Sequence, residues 1–475
     1  MASERTMHRL LISAAHKSSG KTTVSIGLVQ ALSARGLKVQ TFKKGPDYID
    51  PMWLSAASGR ACRNLDFYLM QREEIQRTFA QHSQDADLSL IEGNKGLYDG
   101  LELDGSNSNA ALAKLLHAPV VLVLDTRGVI RGVAPLLLGY QAFDREVQIA
   151  GVILNHVGGS RHEAKLRAVV EHYTDIPVLG MVQSNKALNI DERHLGLMPA
   201  NETQIAAQHI AEMGRIIGNQ VDLDKIIAIA QSAPPLAIPS TARSTKKIVS
   251  NIRIGIAQDA AFGFYYADDL DALRAAGAEL VPFSPLRDTK LPAVDALFLG
   301  GGFPEVFARE LADNQSLRNE IHDSIETGLP AYAECGGLMY LARSISWHGE
   351  KHTMAGVIPG DVVMHEKPVG RGYVRLKETE NFPWPSTQPS QDDPQIVMAH
   401  EFHYSSLEHL PPDMIYAYEV QRGYGVNGTH DGIVYKNLLA AYTHLRSLDN
   451  YNWAARFVER VRHLMNIQPR ARSAS

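Results

Sequence analysis

The sequence predicts two α/β domains, each built on a parallel sheet with helices on both faces. Three observations predict this. The chain has 475 residues, which is too long for one hydrophobic core. Both halves alternate short apolar runs with helical patterns, as βαβ units do. A Pro-, Ser- and Lys-rich stretch separates the halves. The predicted boundaries are 1–231 and 251–465 for the domains, 232–250 for a linker and 466–475 for a flexible tail.

The strands are predicted from apolar runs that are short enough to be buried in a sheet. In the first domain these runs are 10–14, 38–42, 88–91, 120–125 and 149–155. In the second domain they are 252–257, 279–283, 296–300 and 330–334. The polar, Pro-rich segment 383–395 is predicted to be a surface loop.

Composition argues against several classes of protein. The net charge is −5 without a long basic run, so nothing indicates a nucleic-acid partner. No apolar stretch reaches the ~18 residues that a membrane span needs, and the polar start lacks the apolar part of a signal peptide. The two cysteines, Cys62 and Cys335, are far apart, which fits a reducing cytosol rather than a disulfide framework or a zinc site. We therefore expect a cytoplasmic protein, with Cys62 a packed thiol.

A phosphate-binding loop is predicted at the first strand-to-helix turn. Residues 15–22 read Ala-His-Lys-Ser-Ser-Gly-Lys-Thr, which matches G-x-x-x-x-G-K-[ST] with Ala15 in place of the first glycine. Backbone N–H groups at such a turn surround phosphate oxygens, and the lysine neutralises their charge. We therefore expect ATP and Mg²⁺ as cofactors. The predicted nucleotide ligands are Ser19, Gly20, Lys21, Thr22 and Thr23.

Four acidic residues follow apolar runs in the same half. In a parallel sheet the carboxyl ends of the strands form the ligand-binding edge. Glu92 and the Thr22 hydroxyl are predicted to bind Mg²⁺, which prefers carboxylate and phosphate oxygens. Asp47, Asp50 and Asp99 are predicted to orient the reacting carboxylate of the substrate or the metal. For any one aspartate, ordinary turn chemistry is the alternative.

A cysteine nucleophile is predicted in the second domain. The segment 330–339 reads Pro-Ala-Tyr-Ala-Glu-Cys-Gly-Gly-Leu-Met, which is typical of a strand that turns sharply into a helix. Such a corner presents the side chain of Cys335 near helix N-terminal amides, which favour the thiolate. The alternative is a buried cysteine before a glycine-rich turn.

Two further parts of this site are predicted. The run 300–302 is Gly-Gly-Gly after a strand, so Gly301, Gly302 and Gly336 are expected to offer N–H groups to an oxyanion. A thiolate also needs a base. Spacing alone cannot choose among the eight histidines between residues 348 and 444: His348, His352, His365, His400, His403, His409, His430 and His444.

The motifs together resemble a known family. Glu-Cys-Gly-Gly at 334–337, Gly-Gly-Gly-Phe-Pro-Glu at 300–305 and Tyr-Thr-His at 442–444 resemble a class I glutamine amidotransferase domain, which is flavodoxin-like. The first half resembles a dethiobiotin-synthetase-like ATP-binding domain. With 44–51, 92–100, 192–197, 259–266 and 400–405 in support, the chain resembles the cobyrinic acid a,c-diamide synthase family from about residue 8 to 460.

The resemblance implies a carbon–nitrogen ligase with glutamine as the nitrogen donor. Cys335 is implied to be the nucleophile and His444 its base. Typical class I domains carry an acid two residues after the histidine, where this chain has Arg446, so the residue that orients His444 is unknown. The first domain is implied to phosphorylate a carboxylate, and ammonia released in a shielded space then forms the amide.

The implied substrate is a tetrapyrrole polycarboxylic acid, cobyrinic acid, amidated at positions a and c. Candidate cations for this polyanion are Lys43, Lys44, Arg193 and Arg371. The expected partners are glutamine and this acid, without nucleic acid or membrane, and a homodimer is left open.

Two alternatives stay open. Asn94-Lys95 and Gly263 depart from the family pattern, so the same chemistry could act on sirohydrochlorin, its nickel complex or sirohaem. A different class is a P-loop ATPase with a non-catalytic glutaminase-like domain. The intact Cys335 and His444 argue against that class.

Overall fold

The computed structural model describes residues 3–5, 7–190, 192–193, 196–202, 206–238, 252–384 and 395–467. The chain divides into two compact units, Met1–Ala242 and Arg243–Ser475, and both are α/β, as predicted. Residues 239–250 of the predicted linker, 468–475 of the predicted tail and 385–394 of the predicted loop lie outside the described residues.

The first unit contains the following elements. Its strands are β1 (Ser3–Arg5), β2 (Arg9–Ala14), β3 (Val39–Lys44), β4 (Arg63–Leu65), β5 (Leu88–Glu92), β6 (Val120–Asp125), β7 (Ile149–Val157), β8 (Val178–Gln183), β9 (Glu192–Arg193), β10 (Gly196–Leu197) and β11 (Leu236–Ile238). Its helices are α1 (Lys21–Ala34), α2 (Ile49–Ser58), α3 (Arg72–Ser83), α4 (Asn109–Leu115), α5 (Val133–Phe143), α6 (Ser160–Tyr173), α7 (Ala206–Gln220) and α8 (Leu223–Gln231), with 3-10 turns at Lys186–Leu188 and Ala200–Glu202.

A seven-stranded parallel sheet forms the centre of the first unit, in the order β4–β3–β5–β2–β6–β7–β8. All five predicted strands are present. The structure adds β4 and β8 at the two edges. β4 is three residues long and partly polar, and β8 contains Gly180, so neither has a strong strand pattern. Because the strands are parallel, the ends of β2, β3 and β5 meet at one edge of the sheet.

The second unit contains the remaining elements. Its strands are β12 (Ile252–Ala257), β13 (Phe262–Phe264), β14 (Ala278–Phe283), β15 (Ala296–Leu299), β16 (Gly301–Gly302), β17 (Ala331–Glu334), β18 (Ala342–Trp347), β19 (Glu350–Thr353), β20 (Ile358–Met364), β21 (Gly370–Glu378), β22 (Ile396–His403), β23 (Ser405–Glu408), β24 (Tyr416–Arg422), β25 (His430–Tyr435) and β26 (Leu438–Ala441). Its helices are α9 (Ala267–Ala275), α10 (Ala308–Asp313), α11 (Gln315–Glu326), α12 (Gly336–Leu341) and α13 (Trp453–Ile467).

The main sheet of the second unit begins with five parallel strands in the order β14–β12–β15–β17–β26. This is the flavodoxin order 2-1-3-4-5, as predicted. Four antiparallel strands, β25, β24, β21 and β22, extend the sheet beyond β26. A smaller sheet has the order β19–β18–β20–β23. The sequence prediction did not include these antiparallel strands.

The core of the second unit lies on both faces of the main sheet. Ala331 and Ala333 of β17 join one buried apolar cluster, and Tyr332 between them joins another. This follows from the alternation of side chains along a strand. β17 is thus held on both faces just before Cys335. Among the described residues of either unit, no helix has the length and apolarity to cross a membrane.

Candidate active site

The phosphate-binding loop of the first unit has a backbone that only glycine tolerates at Gly20. Its φ is +85°, and a Cβ atom there would lie 2.1 Å from Asn155 Nδ2. The Asn155 amide donates a hydrogen bond of 3.0 Å to Ser19 O, and the Ser19 hydroxyl donates one to His16 O. Helix α1 begins at Lys21. The loop is thus held in shape from β7 before any ligand binds.

The substitution of Ala15 for the first glycine is accommodated by contacts on its carbonyl. The Tyr140 hydroxyl donates a hydrogen bond of 2.7 Å to Ala15 O. Gly96 packs against the same carbonyl, and a Cβ at Gly96 would lie 2.5 Å from it. Asp99 Oδ2 accepts a hydrogen bond of 2.9 Å from the Gly96 amide. These contacts bring Asp99 beside the phosphate loop.

Four of the polar side chains at the edge of the sheet converge. The Thr22 hydroxyl donates to Glu92 Oε1 at 2.7 Å and lies 3.2 Å from Asp50 Oδ2. Lys43 Nζ donates to the same Glu92 oxygen at 2.9 Å and also binds Asp50. Asp47 Oδ2 lies 3.8 Å from Lys43 Nζ. Lys43 was predicted to be a cation that binds the substrate, but in the structure it is buried among carboxylates.

Burial and charge shift the pKa values of this cluster. Burial acts to lower the pKa of Lys43, but Asp50 and Glu92 outweigh it and hold that pKa well above its usual value. Burial lowers the pKa of Lys21 to about 8, and the neighbouring Lys43 adds to the shift. Burial, together with the charge of Asp50, raises the pKa of Asp47 to about 7. The cluster is therefore tightly balanced, and an added anion or cation will redistribute its protons.

The other residues that were predicted to bind the substrate or the nucleotide lie in separate parts of the chain. Lys44 Nζ donates to Asn94 Oδ1 at 3.1 Å, and burial lowers its pKa to about 8. Thr23 lies in the first turn of α1. The side chain of Arg193 is outside the described residues. Arg371 lies on β21 in the second unit, exposed over the ring of Phe402.

The predicted strand–turn–helix corner is present in the second unit. Strand β17 ends at Glu334, Cys335 takes φ +47° and ψ −103°, and α12 begins at Gly336. The amide of Cys335 donates a hydrogen bond of 2.8 Å to Ala441 O on β26. A Cβ atom at Gly337 would lie 2.1 Å from Leu299 O, so the corner needs glycine there. A positive φ at a non-glycine residue is strain of the kind found at functional sites.

The expectation of a stabilised thiolate is corrected by the structure. Cys335 is buried, with an exposed fraction of 6%. Burial raises the pKa of its thiol, the charge of Glu305 adds to the shift, and the Gly336 amide only partly opposes it. This shift favours the protonated thiol, which needs a base to become a nucleophile.

The three predicted oxyanion glycines lie together at this corner. A Cβ at Gly336 would lie 2.9 Å from Gly302 N, and one at Gly301 would lie 2.6 Å from His444 Cε1. At Gly302 it would lie 2.0 Å from Ala261 O. Side chains at these positions would fill the space around the corner. Glycine at these three positions thus lets the neighbouring backbone and the His444 ring approach the corner closely.

Of the eight candidate histidines between residues 348 and 444, three are buried: His400, His403 and His444. His403 stacks on Tyr442 with ring centres 3.9 Å apart. His444 stacks on His400 at 5.0 Å, and its amide donates to His400 O at 2.8 Å. Of these, His444 is the one whose ring packs on Gly301 of the corner.

Two contacts at these sites were not predicted from the sequence. Glu334 Oε2 lies 3.4 Å from His444 Nδ1. Asn155 holds the phosphate loop through Ser19 O. Neither pair is close in sequence, so only the strand pairing of β17 with β26 and the placement of β7 reveal them. The sole signal for Glu334 in the sequence is its position directly before the cysteine.

Each of the two units matches a known protein family. Residues 253–453 match the family described as CobB/CobQ-like glutamine amidotransferase domain, and residues 8–192 match the family described as AAA domain. The cobyrinate a,c-diamide synthase of Magnetococcus marinus is 48% identical over 451 residues, covering 94% of this chain and 95% of that protein. This chain belongs to the cobyrinate a,c-diamide synthase family.

More distant members of the cobyrinate a,c-diamide synthase family match over the same extent. The protein of Methanosarcina acetivorans is 40% identical over 485 residues, covering 95% of each chain. That of Archaeoglobus fulgidus is 40% identical over 454 residues, covering 95% of this chain and 97% of its own. The resemblance inferred from the motifs is confirmed, as are the ATP-binding and glutamine amidotransferase domains.

Proposed function

We propose that this chain is a ligase that converts the a and c carboxylates of cobyrinic acid into amides, with ATP and glutamine. The observation that carries the proposal is that one chain combines a phosphate-binding loop surrounded by acids with a cysteine corner that has a buried imidazole beside it. The name of its full-length relatives supplies the substrate.

The first unit would activate the substrate carboxylate. A carboxylate does not react with ammonia at neutral pH, because oxide is a poor leaving group. Attack of a carboxylate oxygen on the γ-phosphorus of ATP releases ADP and gives an acyl phosphate, whose leaving group is phosphate. Phosphoryl transfer needs mainly positioning and charge neutralisation. The loop from Ser19 to Thr23 with Lys21 would hold the phosphates.

The residues at the loop fit Mg²⁺. Glu92 is fully buried, and its Oε2 accepts no hydrogen bond from the described residues. A buried carboxylate oxygen without a donor is costly unless a cation binds it. Thr22 and Glu92 would hold Mg²⁺ and supply the hard oxygen ligands that it prefers. The ion would neutralise charge on the β- and γ-phosphates.

The acids around the loop would orient the substrate. Asp50 shares Lys43 with Glu92, and Asp99 lies against the loop through Gly96. Asp47 accepts the amides of Ile49 and Asp50 at the start of α2. We infer that these aspartates fix the reacting carboxylate at the carboxyl edge of the sheet, near the γ-phosphate.

The second unit would release ammonia from glutamine. The Cys335 sulfur attacks the carboxamide carbon while His444 takes the thiol proton and passes it to the departing nitrogen. Ammonia leaves, and water hydrolyses the thioester to glutamate. Amides at Gly301, Gly302 and Gly336 would stabilise the oxyanion. Ammonia then displaces phosphate from the acyl phosphate. Two rounds give the a,c-diamide.

Mass spectrometry of the products tests the proposal. The purified chain is incubated with ATP, Mg²⁺ and glutamine and with either cobyrinic acid or sirohydrochlorin. We expect two carboxylates of cobyrinic acid to become carboxamides, with equal release of ADP and glutamate. Amidation of sirohydrochlorin in preference to cobyrinic acid would contradict the assigned substrate. The absence of any glutamate release would contradict the reaction.

A further inference from the structure

We propose that Glu334, the residue before the nucleophile, is the positioning residue that orients His444 for glutamine hydrolysis. This inference rests on the proposed roles of Cys335 and His444. Class I domains carry an acid two residues after the histidine, where this chain has Arg446. Glu334 would supply the missing carboxylate.

The contact is between two buried side chains. Glu334 Oε2 lies 3.4 Å from His444 Nδ1, and the two side chains are 3% and 4% exposed. The other oxygen, Oε1, accepts the Tyr332 hydroxyl at 2.6 Å and the Leu445 amide at 2.9 Å. The carboxylate is therefore fixed by donors on Oε1, with Oε2 directed at the imidazole.

The ring of His444 is also confined on one face and one edge. It stacks on His400 with planes 17° apart, and its Cε1 edge packs against Gly301. The carboxylate determines which ring nitrogen of His444 is the basic one. A carboxylate at Nδ1 favours the tautomer with the proton on Nδ1, so that Nε2 becomes the basic nitrogen. A separation of 3.4 Å is long for a hydrogen bond, and such contacts tighten when substrate binds.

The topology explains why the acid comes from this position. Strand β17 pairs in parallel with β26, with Glu334 opposite Ala441, so the end of β17 lies beside the segment that carries His444. The side chain of Arg446 contacts α9 instead. Its Nη2 binds Asp268 Oδ2 at 2.8 Å, and its guanidinium lies over the ring of Tyr266. The acid is supplied by the neighbouring strand rather than by the same one.

Other titratable groups near His444 include His400, Arg446 and Asp269. Burial, with the nearby His444 and Arg446, holds the pKa of His400 well below its usual value, so His400 is neutral. Arg446 is paired with Asp268. Burial raises the pKa of Asp269 well above its usual value, and Asp269 accepts the Ser447 amide at 2.6 Å. Glu334 is thus the carboxylate that faces the ring directly.

The test replaces Glu334 with Gln, which keeps the size and the acceptor oxygen but removes the charge. We expect kcat for glutamine hydrolysis to fall roughly 10- to 100-fold, as for loss of an orienting carboxylate, with little change in KM. A carboxylate beside Nδ1 also stabilises the protonated ring, which cannot accept the thiol proton. The acidic limb of kcat/KM for glutamine should therefore move to lower pH. Glu334→Asp, which keeps the charge, should recover part of kcat.

Asp269→Asn is the matched control, since it also replaces a buried carboxylate that accepts an amide from the same segment. We expect it to leave the acidic limb in place. An unshifted limb in Glu334→Gln, or the same loss of kcat in both variants, would overturn the positioning role. Wild-type chain without glutaminase activity would instead refute the proposed function. Circular dichroism and the thermal unfolding temperature report whether each variant is folded.

Discussion

At the scale of single residues, the proposed nucleophile lies in a strained and buried position. Cys335 has a strained positive φ, and burial raises the pKa of its thiol. A protonated buried thiol reacts slowly with oxidants and electrophiles. His444, the proposed base, packs against Gly301 of the same corner.

Alkylation of Cys335 by iodoacetamide tests this state. Because the pKa of the thiol lies above its ordinary value, the thiolate fraction should keep rising as the pH rises. We expect slow modification at neutral pH and a rate that increases without a plateau through pH ~9, past the ~8.5 midpoint of an ordinary thiol. Mass spectrometry of the Cys335 peptide measures the rate. A plateau at or below neutral pH would show a stabilised thiolate and contradict this account.

Local motifs predicted Lys21, Thr22 and Cys335, since each lies in a short pattern that fixes its own backbone. Contacts across strands were not predictable in this way. The Glu334–His444 contact depends on the pairing of β17 with β26, and the burial of Lys43 depends on β3 lying beside β5. The burial of Cys335 was the alternative that the sequence left open, because burial is a property of the packed domain.

At the scale of elements, both sites depend on turns where a side chain cannot fit. Gly20 ends the phosphate loop before α1, and Gly337 lies in the first turn of α12 after the nucleophile. In each turn the obstacle is a named atom in a neighbouring element, Asn155 Nδ2 or Leu299 O. These two glycines allow separate tests of the two sites.

Gly20→Ala should weaken ATP binding without unfolding the chain. The left-handed conformation costs a residue with a Cβ about 1–2 kcal/mol, and the new methyl group would also displace Asn155. We expect the Kd for ATP to rise at least roughly 5- to 30-fold, the equivalent of that energy. Isothermal titration calorimetry measures the Kd. Unchanged affinity would show that the loop conformation does not matter for nucleotide binding.

Gly337→Ala should destabilise the second unit and abolish glutaminase activity. The added methyl group would lie 2.1 Å from Leu299 O in a packed sheet, and overpacking of this kind costs about 1–3 kcal/mol. Gly139→Ala is the control, because α5 leaves open space at Gly139. The control should be neutral or slightly stabilising in thermal unfolding. Equal unfolding temperatures for the two variants would contradict the packing argument.

Most strands predicted from the sequence are apolar runs that are buried on both faces. Two strands depart from this rule, because β14 was predicted although it is partly exposed, and the fully buried β26 was not predicted. All nine predicted strands are present, as in β2 and β17, where every residue is buried. The strands of the antiparallel extension, such as β21, mix buried and exposed residues irregularly. Their pattern does not differ clearly from that of a loop, so hydrophobic periodicity could not identify them.

At the scale of the whole molecule, each unit is proposed to carry out one half-reaction. Each unit has its own sheet and its own polar site, and the two family matches fall in different units. Loss of one site should therefore remove one half-reaction and spare the other. This division of labour is the central claim.

Amide formation from two nitrogen sources tests that claim most directly. Products of cobyrinic acid with ATP are measured by mass spectrometry for Cys335→Ala and Lys21→Ala, with glutamine or with ammonium. We predict that Cys335→Ala makes no amide from glutamine but makes the diamide from ammonium, while Lys21→Ala makes none from either. Amidation by Cys335→Ala with glutamine, its failure with ammonium in a folded protein, or undiminished synthesis by Lys21→Ala would contradict the account.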